Sequence, residues 1–126
     1  MSAFQALLSS TDFLIIGHRG AAGLEAENTL PSFQRALDLG CDAIELDVQC
    51  SKDNHGNSPL WVIHDDTVNR TTDKTGRVDQ LTDAELATMH CSNGASIPTL
   101  GAVLDMVDEH NRKAGVSTAI NIELKG

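Results

Sequence analysis

The 126-residue chain is 40% hydrophobic and 21% charged, with 18 acidic against 9 basic residues and a net charge of −9. That length supports one ordinary domain, 1–126, with a real core, and the acidic balance argues against nucleic-acid binding, because polyphosphate would be repelled. One Trp, three Phe and no Tyr leave an aliphatic core and little aromatic surface for stacking bases or sugars.

Apolar runs alternate with helical patterns along the chain. Phe13 to Ile16 is predicted as the first strand. Thr29 to Leu39 is predicted as a helix, with Leu30, Phe33 and Leu37 on one face. Asn28 or Thr29 supplies its N-cap, Pro31 lies in its first turn, and Gly40 stops it. Asp42 to Val48 reads as the second strand, the polar stretch 51–58 as a loop, and Leu60 to Ile63 as the third strand. Thr67 to Val78 looks like an exposed excursion. Thr82-Asp83-Ala84-Glu85 forms a capping box that opens a short helix to about Met89. A longer helix starts at Pro98-Thr99, with Leu100, Val103, Leu104 and Val107 at i, i+3, i+4 and i+7 and Gly115 as its stop. Ser117 to Leu124 is the fourth strand.

Strands alternating with helices predict a parallel sheet with helices outside, which either a barrel or an open sheet satisfies. A complete barrel needs roughly 200 residues or more, so this chain would hold about half of one. Cys41, Cys50 and Cys91 are odd in number and lack CxxC spacing, which disfavours a disulfide framework or zinc knuckle and favours a reducing compartment. Met1 to Asp12 has no basic start or long apolar stretch, so it does not read as a signal peptide. No run reaches the length of a membrane span. The expected location is cytoplasmic.

Each apolar run turns abruptly ionic. Glu45 and Asp47 are i and i+2 on a strand, so both point to one side. Two adjacent carboxylates, if partly buried, stay ionised only with a cation between them, and an all-oxygen cluster suits calcium or magnesium better than zinc. The alternative is an edge strand whose solvent face happens to be acidic. Glu123 and Lys125 repeat the spacing: Glu123 is a candidate third metal ligand and Lys125 a candidate partner for an anionic substrate, or the two form a simple ion pair. His18 and Arg19 follow the first strand. Arginine's planar fork matches phosphate, and histidine is suited to proton transfer near neutral pH. Gly17 and Gly20 would let backbone approach a ligand. His64 ends the third strand ahead of Asp65, which is expected to start a turn or orient a neighbour. Two strand-end histidines flanking a metal-bound phosphate suit paired acid and base roles.

The motifs together resemble those of the glycerophosphodiester phosphodiesterases. They are His18-Arg19-Gly20, Glu27-Asn28-Thr29, Glu45-Leu46-Asp47-Val48, His64-Asp65 with Asn69-Arg70-Thr71-Thr72 and Gly76, Ile97-Pro98-Thr99-Leu100, and Asn121-Ile122-Glu123-Leu124-Lys125. They occur in the family's order and cover nearly the whole chain from Phe13. The resemblance implies a TIM (β/α)8 barrel, of which about the first four β/α units are present. It implies metal-dependent cleavage of glycerophosphodiesters to glycerol 3-phosphate and an alcohol. It gives Glu45, Asp47 and Glu123 to a divalent ion (Ca2+ or Mg2+), acid/base roles to His18 and His64, and the phosphate to Arg19 and Lys125. Three carboxylates, a divalent cation, Arg19 and Lys125 sum to about +1, a charge that attracts a phosphodiester. Half a barrel has open sheet edges, so self-association is expected. A related phospholipase D-like lyase and a non-catalytic half-barrel are the alternatives.

Overall fold

A computed structural model describes residues 15–125. Strand β2 (Ala43–Gln49) is the centre of a four-stranded sheet. Strand β1 (Ile16–His18) pairs with it in parallel, with Ile16 opposite Ala43 and His18 opposite Glu45. Strand β4 (Ala119–Leu124) pairs in parallel along the other edge, from Ala43–Ala119 to Val48–Leu124. Phe13 and Leu14, assigned to the first strand from sequence, lie outside the described residues.

The third strand departs from expectation. Strand β3 (Trp61–Val62) is only two residues long and runs antiparallel to β2, with Val48 opposite Val62 and Gln49 opposite Trp61. A parallel return requires a long crossover, usually a helix. The connection 50–60 contains none, so the chain doubles back beside β2. The half-barrel frame is therefore carried by the parallel strands β1, β2 and β4.

Helix α1 (Leu30–Asp38) starts where the Thr29 hydroxyl accepts from the Ser32 amide, with Pro31 in the first turn. Helix α2 (Asp83–Leu86) carries the expected capping box between Thr82 and Glu85 and is shorter than expected, tight turns continuing to Met89. Helix α3 (Leu100–Ala114) is capped by Thr99 and ends at Gly115 with φ 67°. Among the described residues, no helix is long and apolar enough to cross a membrane.

Two cores result. Phe33, Ala36 and Leu37 of α1 and Val103 and Val107 of α3 cover one face of β2, presented by Ile44, Leu46 and Val48. Trp61, Ile63, Val68, Val78, Leu86, Met89 and Ile97 form a second cluster. The stretch 67–78, expected to be an exposed excursion, thus anchors itself through Val68 and Val78, both fully buried. The Trp61 indole N–H, also buried, donates to Asp83 Oδ1 at 2.9 Å, which satisfies the polar atom that burial would otherwise leave unpaired.

Candidate active site

Strand alternation sends Ile44, Leu46 and Val48 into the core under the helices and Glu45 and Asp47 to the opposite face. Register then sets Glu123 directly across from Asp47. One carboxylate oxygen from each of Glu45, Asp47 and Glu123 lies within 4.8 Å of the others. Asp47 is 1% exposed. Three carboxylates this close, one of them buried, require compensating positive charge.

The loop after β1 supplies part of that charge. The Arg19 amide donates to Glu45 Oε2 at 3.1 Å, and its Nε stands 3.7 Å from Asp47 Oδ2. Arg19 and Asn28 both adopt left-handed backbone, φ 51° and 54°. That is uncommon outside glycine and is sustained only by a firm surround. Here the Asn28 amide and the Ser32 hydroxyl both donate to the Arg19 carbonyl, at 2.9 and 3.2 Å. Gly17 and Gly20, which the sequence suggested for ligand approach, lie close against helix α1. A Cβ on Gly20 would stand 2.5 Å from Ser32 Oγ, and one on Gly17 would stand 2.9 Å from the Ala36 Cβ.

Thr29 alone caps α1. Asn28, the other capping candidate, instead turns its side chain to Asp47, where Nδ2 donates to Oδ2 at 3.3 Å. Its Oδ1 is buried without a hydrogen-bond partner. An all-oxygen cluster with an unpartnered amide oxygen beside it is a donor set that fits a hard divalent cation.

The histidines are held differently. His18 is mostly exposed, with Nε2 3.6 Å from Glu45 Oε2. His64 lies two residues beyond β3, its Nδ1 2.9 Å from Asp65 Oδ1, so Asp65 orients a neighbour as the sequence suggested. The buried Gln49 amide, on the end of β2, stands 3.1, 3.1 and 2.6 Å from the carbonyls of Ile63, His64 and Asp65. Lys125 places Nζ 3.5 Å from Glu123 Oε1 and borders a cavity of about 480 Å3 shared with Gln49, Lys52, Asp66 and Arg77.

All seven residues singled out by sequence belong to one set of neighbouring groups, and two further residues join its halves. Glu27 accepts from Arg19 Nη1 at 3.1 Å and from Arg70 Nη1 and Nη2 at 2.7 and 3.1 Å. Arg70 in turn donates from Nε and Nη2 to Asp65 Oδ2 and Oδ1 at 2.8 and 3.0 Å. The Arg70 hydrogen bonds, followed by that of His64, hold the Asp65 carboxyl far below the usual carboxylate range. Burial alone would raise the Glu27 carboxyl, but the hydrogen bonds and charge of Arg70, with Arg19 behind them, outweigh it and leave it lowered. Both residues stood inside sequence motifs with no role attached. Glu27 and Arg70 cancel in the charge balance, and Asp65 shifts it: five carboxylates now face Arg19, Arg70 and Lys125, so a divalent cation brings the assembly to neutrality instead of +1.

The sequence model of the Glycerophosphoryl diester phosphodiesterase family matches residues 18–126. A glycerophosphodiester phosphodiesterase from Caldanaerobacter subterraneus subsp. tengcongensis is 40% identical over 119 residues, which are 89% of this chain and 45% of the relative. One from Bacillus altitudinis is 42% identical over 118 residues, 88% of this chain and 44% of its own length. The fold superposes on an Oleispira antarctica phosphodiesterase solved in complex with the product sn-glycerol-3-phosphate, with TM-score 0.81 and 29% identity over 99% of this chain and 47% of that one. It also superposes on a glycerophosphodiester phosphodiesterase from Agrobacterium tumefaciens, with TM-score 0.78 and 35% identity over 91% of this chain and 48% of that one. The chain spans about half the length of the relatives it matches. Motif order, the half-barrel sheet and these similarities agree: the chain belongs to the glycerophosphoryl diester phosphodiesterase family.

Proposed function

We propose that this chain carries the metal-binding and acid/base part of a site that hydrolyses glycerophosphodiesters to glycerol 3-phosphate and an alcohol. The observation that carries this reading is the convergence of Glu45, Asp47 and Glu123 within 4.8 Å on a sheet face that also bears His18, with Arg19 reaching Asp47 from the loop after β1. Glu45, Asp47 and Glu123 would hold a divalent cation, Ca2+ or Mg2+, which supplies Lewis-acid stabilisation of charge on the phosphoryl oxygens.

The chain's own residues do the rest. Arg19 and Lys125 attract and orient the phosphodiester anion. The substrate's own glycerol hydroxyl attacks phosphorus, its proton passing to one imidazole, while the P–O bond to the alcohol breaks and the other imidazole protonates the departing oxygen. Water then opens the cyclic phosphate with the proton transfers reversed. His64 has its Nδ1 engaged by Asp65, so Nε2 is the nitrogen free for this work. The single domain is read as lying in a cytoplasmic setting, a reading supported by the three unpaired cysteines. Self-association is supported by the exposed Ile122 and Leu124 on β4.

Glycerophosphocholine supplied with calcium or magnesium tests the reading. Chelator-sensitive release of glycerol 3-phosphate is the expected result. Accumulation of a cyclic phosphate assigns a lyase instead, and no chelator-sensitive turnover leaves a non-catalytic member of the family.

A further inference from the structure

Arg70 is half-exposed, stands on a loop, and makes four side-chain hydrogen bonds, all to two carboxylates. We infer that Arg70 is a positioning residue of the site: one side of its guanidinium fixes the Asp65 carboxylate that sets the His64 ring, and another fixes the Glu27 carboxylate that holds Arg19. The inference rests on the reading of His64 as an acid/base group.

The geometry carries it. Guanidinium is a rigid, planar fork of five N–H donors. Nε and Nη2 take both oxygens of Asp65, and Nη1 and Nη2 take both oxygens of Glu27. Each carboxylate is thereby locked in orientation as well as in position. Asp65 Oδ1 serves two partners, Arg70 Nη2 at 3.0 Å and His64 Nδ1 at 2.9 Å. An ionised carboxylate only accepts, so the His64 Nδ1 must carry the proton and donate it. A neutral His64 is then the tautomer with Nε2 bare, able to take a proton from substrate. Gln49 grips the carbonyls of residues 63–65 from behind, so the backbone is fixed independently of the ring. Rotation of the ring is the freedom left, and the Asp65–Arg70 pair removes it.

An exposed ion pair that merely adds stability is worth little, and lysine replaces it adequately. A positioning role makes a different demand. A lysine ammonium is one point donor and cannot hold two carboxylates bidentately at once. The chain spacing supports the distinction, since Arg70 joins segments 43 residues apart, linking the loop after β1 to the loop after β3.

The test is nitrogen-resolved NMR of the imidazoles in the 126-residue chain at about pH 8, with His64 assigned from the spectrum of His64→Gln. In the wild type His64 is expected as the Nδ1–H tautomer. Arg70→Met and Arg70→Lys should both shift it toward the Nε2–H form that dominates in a free histidine side chain, with unchanged circular dichroism, and Asp65→Ala marks the fully released ring. In the turnover assay Arg70→Lys should lower kcat about 10- to 100-fold. A His64 that remains Nδ1–H in both Arg70 variants, or that is Nε2–H in the wild type, overturns the inference. A wild-type chain with Nδ1–H His64 and no hydrolysis sinks the phosphodiesterase reading while leaving the positioning role in force.

Discussion

Asp47 and Glu123 stand directly opposite each other across the β2–β4 ladder, the first buried and the second open to solvent. Like charges directly opposite on a sheet destabilise it by roughly 0.2–1 kcal/mol. Glu123 also pairs with Lys125 at 3.5 Å, but at that exposure the pair contributes little. Repulsion therefore dominates in the metal-free protein. Glu123→Gln should raise the melting temperature in the presence of chelator, by a gain of about 0.5 kcal/mol. Thermal melts of both proteins in chelator decide this, and a lower Tm for the variant would show that the two carboxylates are not in net repulsion.

The same juxtaposition makes the cation effect large. A ligand bound only by the folded state stabilises it by about 2.7 kcal/mol at a hundredfold excess over Kd. Calcium or magnesium should raise the wild-type Tm, and chelator should reverse the rise. Glu45→Gln, Asp47→Asn and Glu123→Gln each remove one oxygen donor and should abolish most of the shift. In added cation, then, Glu123→Gln changes from the more stable protein to the less stable one. An equal Tm rise in all four proteins would place the cation elsewhere.

Stability should also fall in acid through the ion-pair network. The Arg70 hydrogen bonds hold the Asp65 carboxyl well below its ordinary value, and Glu27 is lowered against the opposing effect of its own burial. Unfolded, the two carboxyls titrate near about 3.9 and 4.3. A depressed folded value means the unfolded state binds more protons in acid, so stability rises with pH through that window. The stabilisation is fully present above about pH 5 and is lost as pH falls through the unfolded and then the folded values. Urea titrations should therefore show Arg70→Met less stable than wild type by a constant margin from about pH 7 to 5, shrinking below about pH 4. A margin that is flat down to about pH 2 would detach Arg70 from the Asp65 and Glu27 titrations.

Much of the site was legible because strands have a period of two. Glu45–Asp47 and Glu123–Lys125 announce a shared face by spacing alone, and the apolar residues between them announce the core. What failed lacked that periodicity. An apolar run such as Leu60–Ile63 has no direction in sequence, and only the helix-free connection before it forces the antiparallel return. Asn28 and Thr29 are both good caps, so composition did not separate the residue that caps α1 from the one that reaches Asp47. Glu27 and Arg70 sit on loops and meet across 43 residues, a pairing fixed by where β1 and β3 end. Val68 and Val78 are isolated apolar residues in polar surroundings, and their burial follows from packing against Trp61, Leu86 and Ile97.

Ile122 and Leu124 follow Ile120 on the face that Ile44, Leu46 and Val48 present to the helices, yet they are 43% and 68% exposed. Among the described residues no further strand pairs with the outer edge of β4. An exposed apolar edge with free N–H and C=O groups is a template for another strand. A second copy of this chain offers another open edge at β1, where Ile16 and the preceding Ile15 are 54% and 60% exposed. Sedimentation velocity over a concentration series should show self-association. Ile122→Lys should weaken it, because a buried unpaired ammonium is costly whereas the same ammonium in a monomer is solvated. The variant should keep the wild-type cation response, because Ile122 lies on the sheet face opposite Glu123. A monomer at all concentrations, or association unchanged by Ile122→Lys, would remove β4 as the contact.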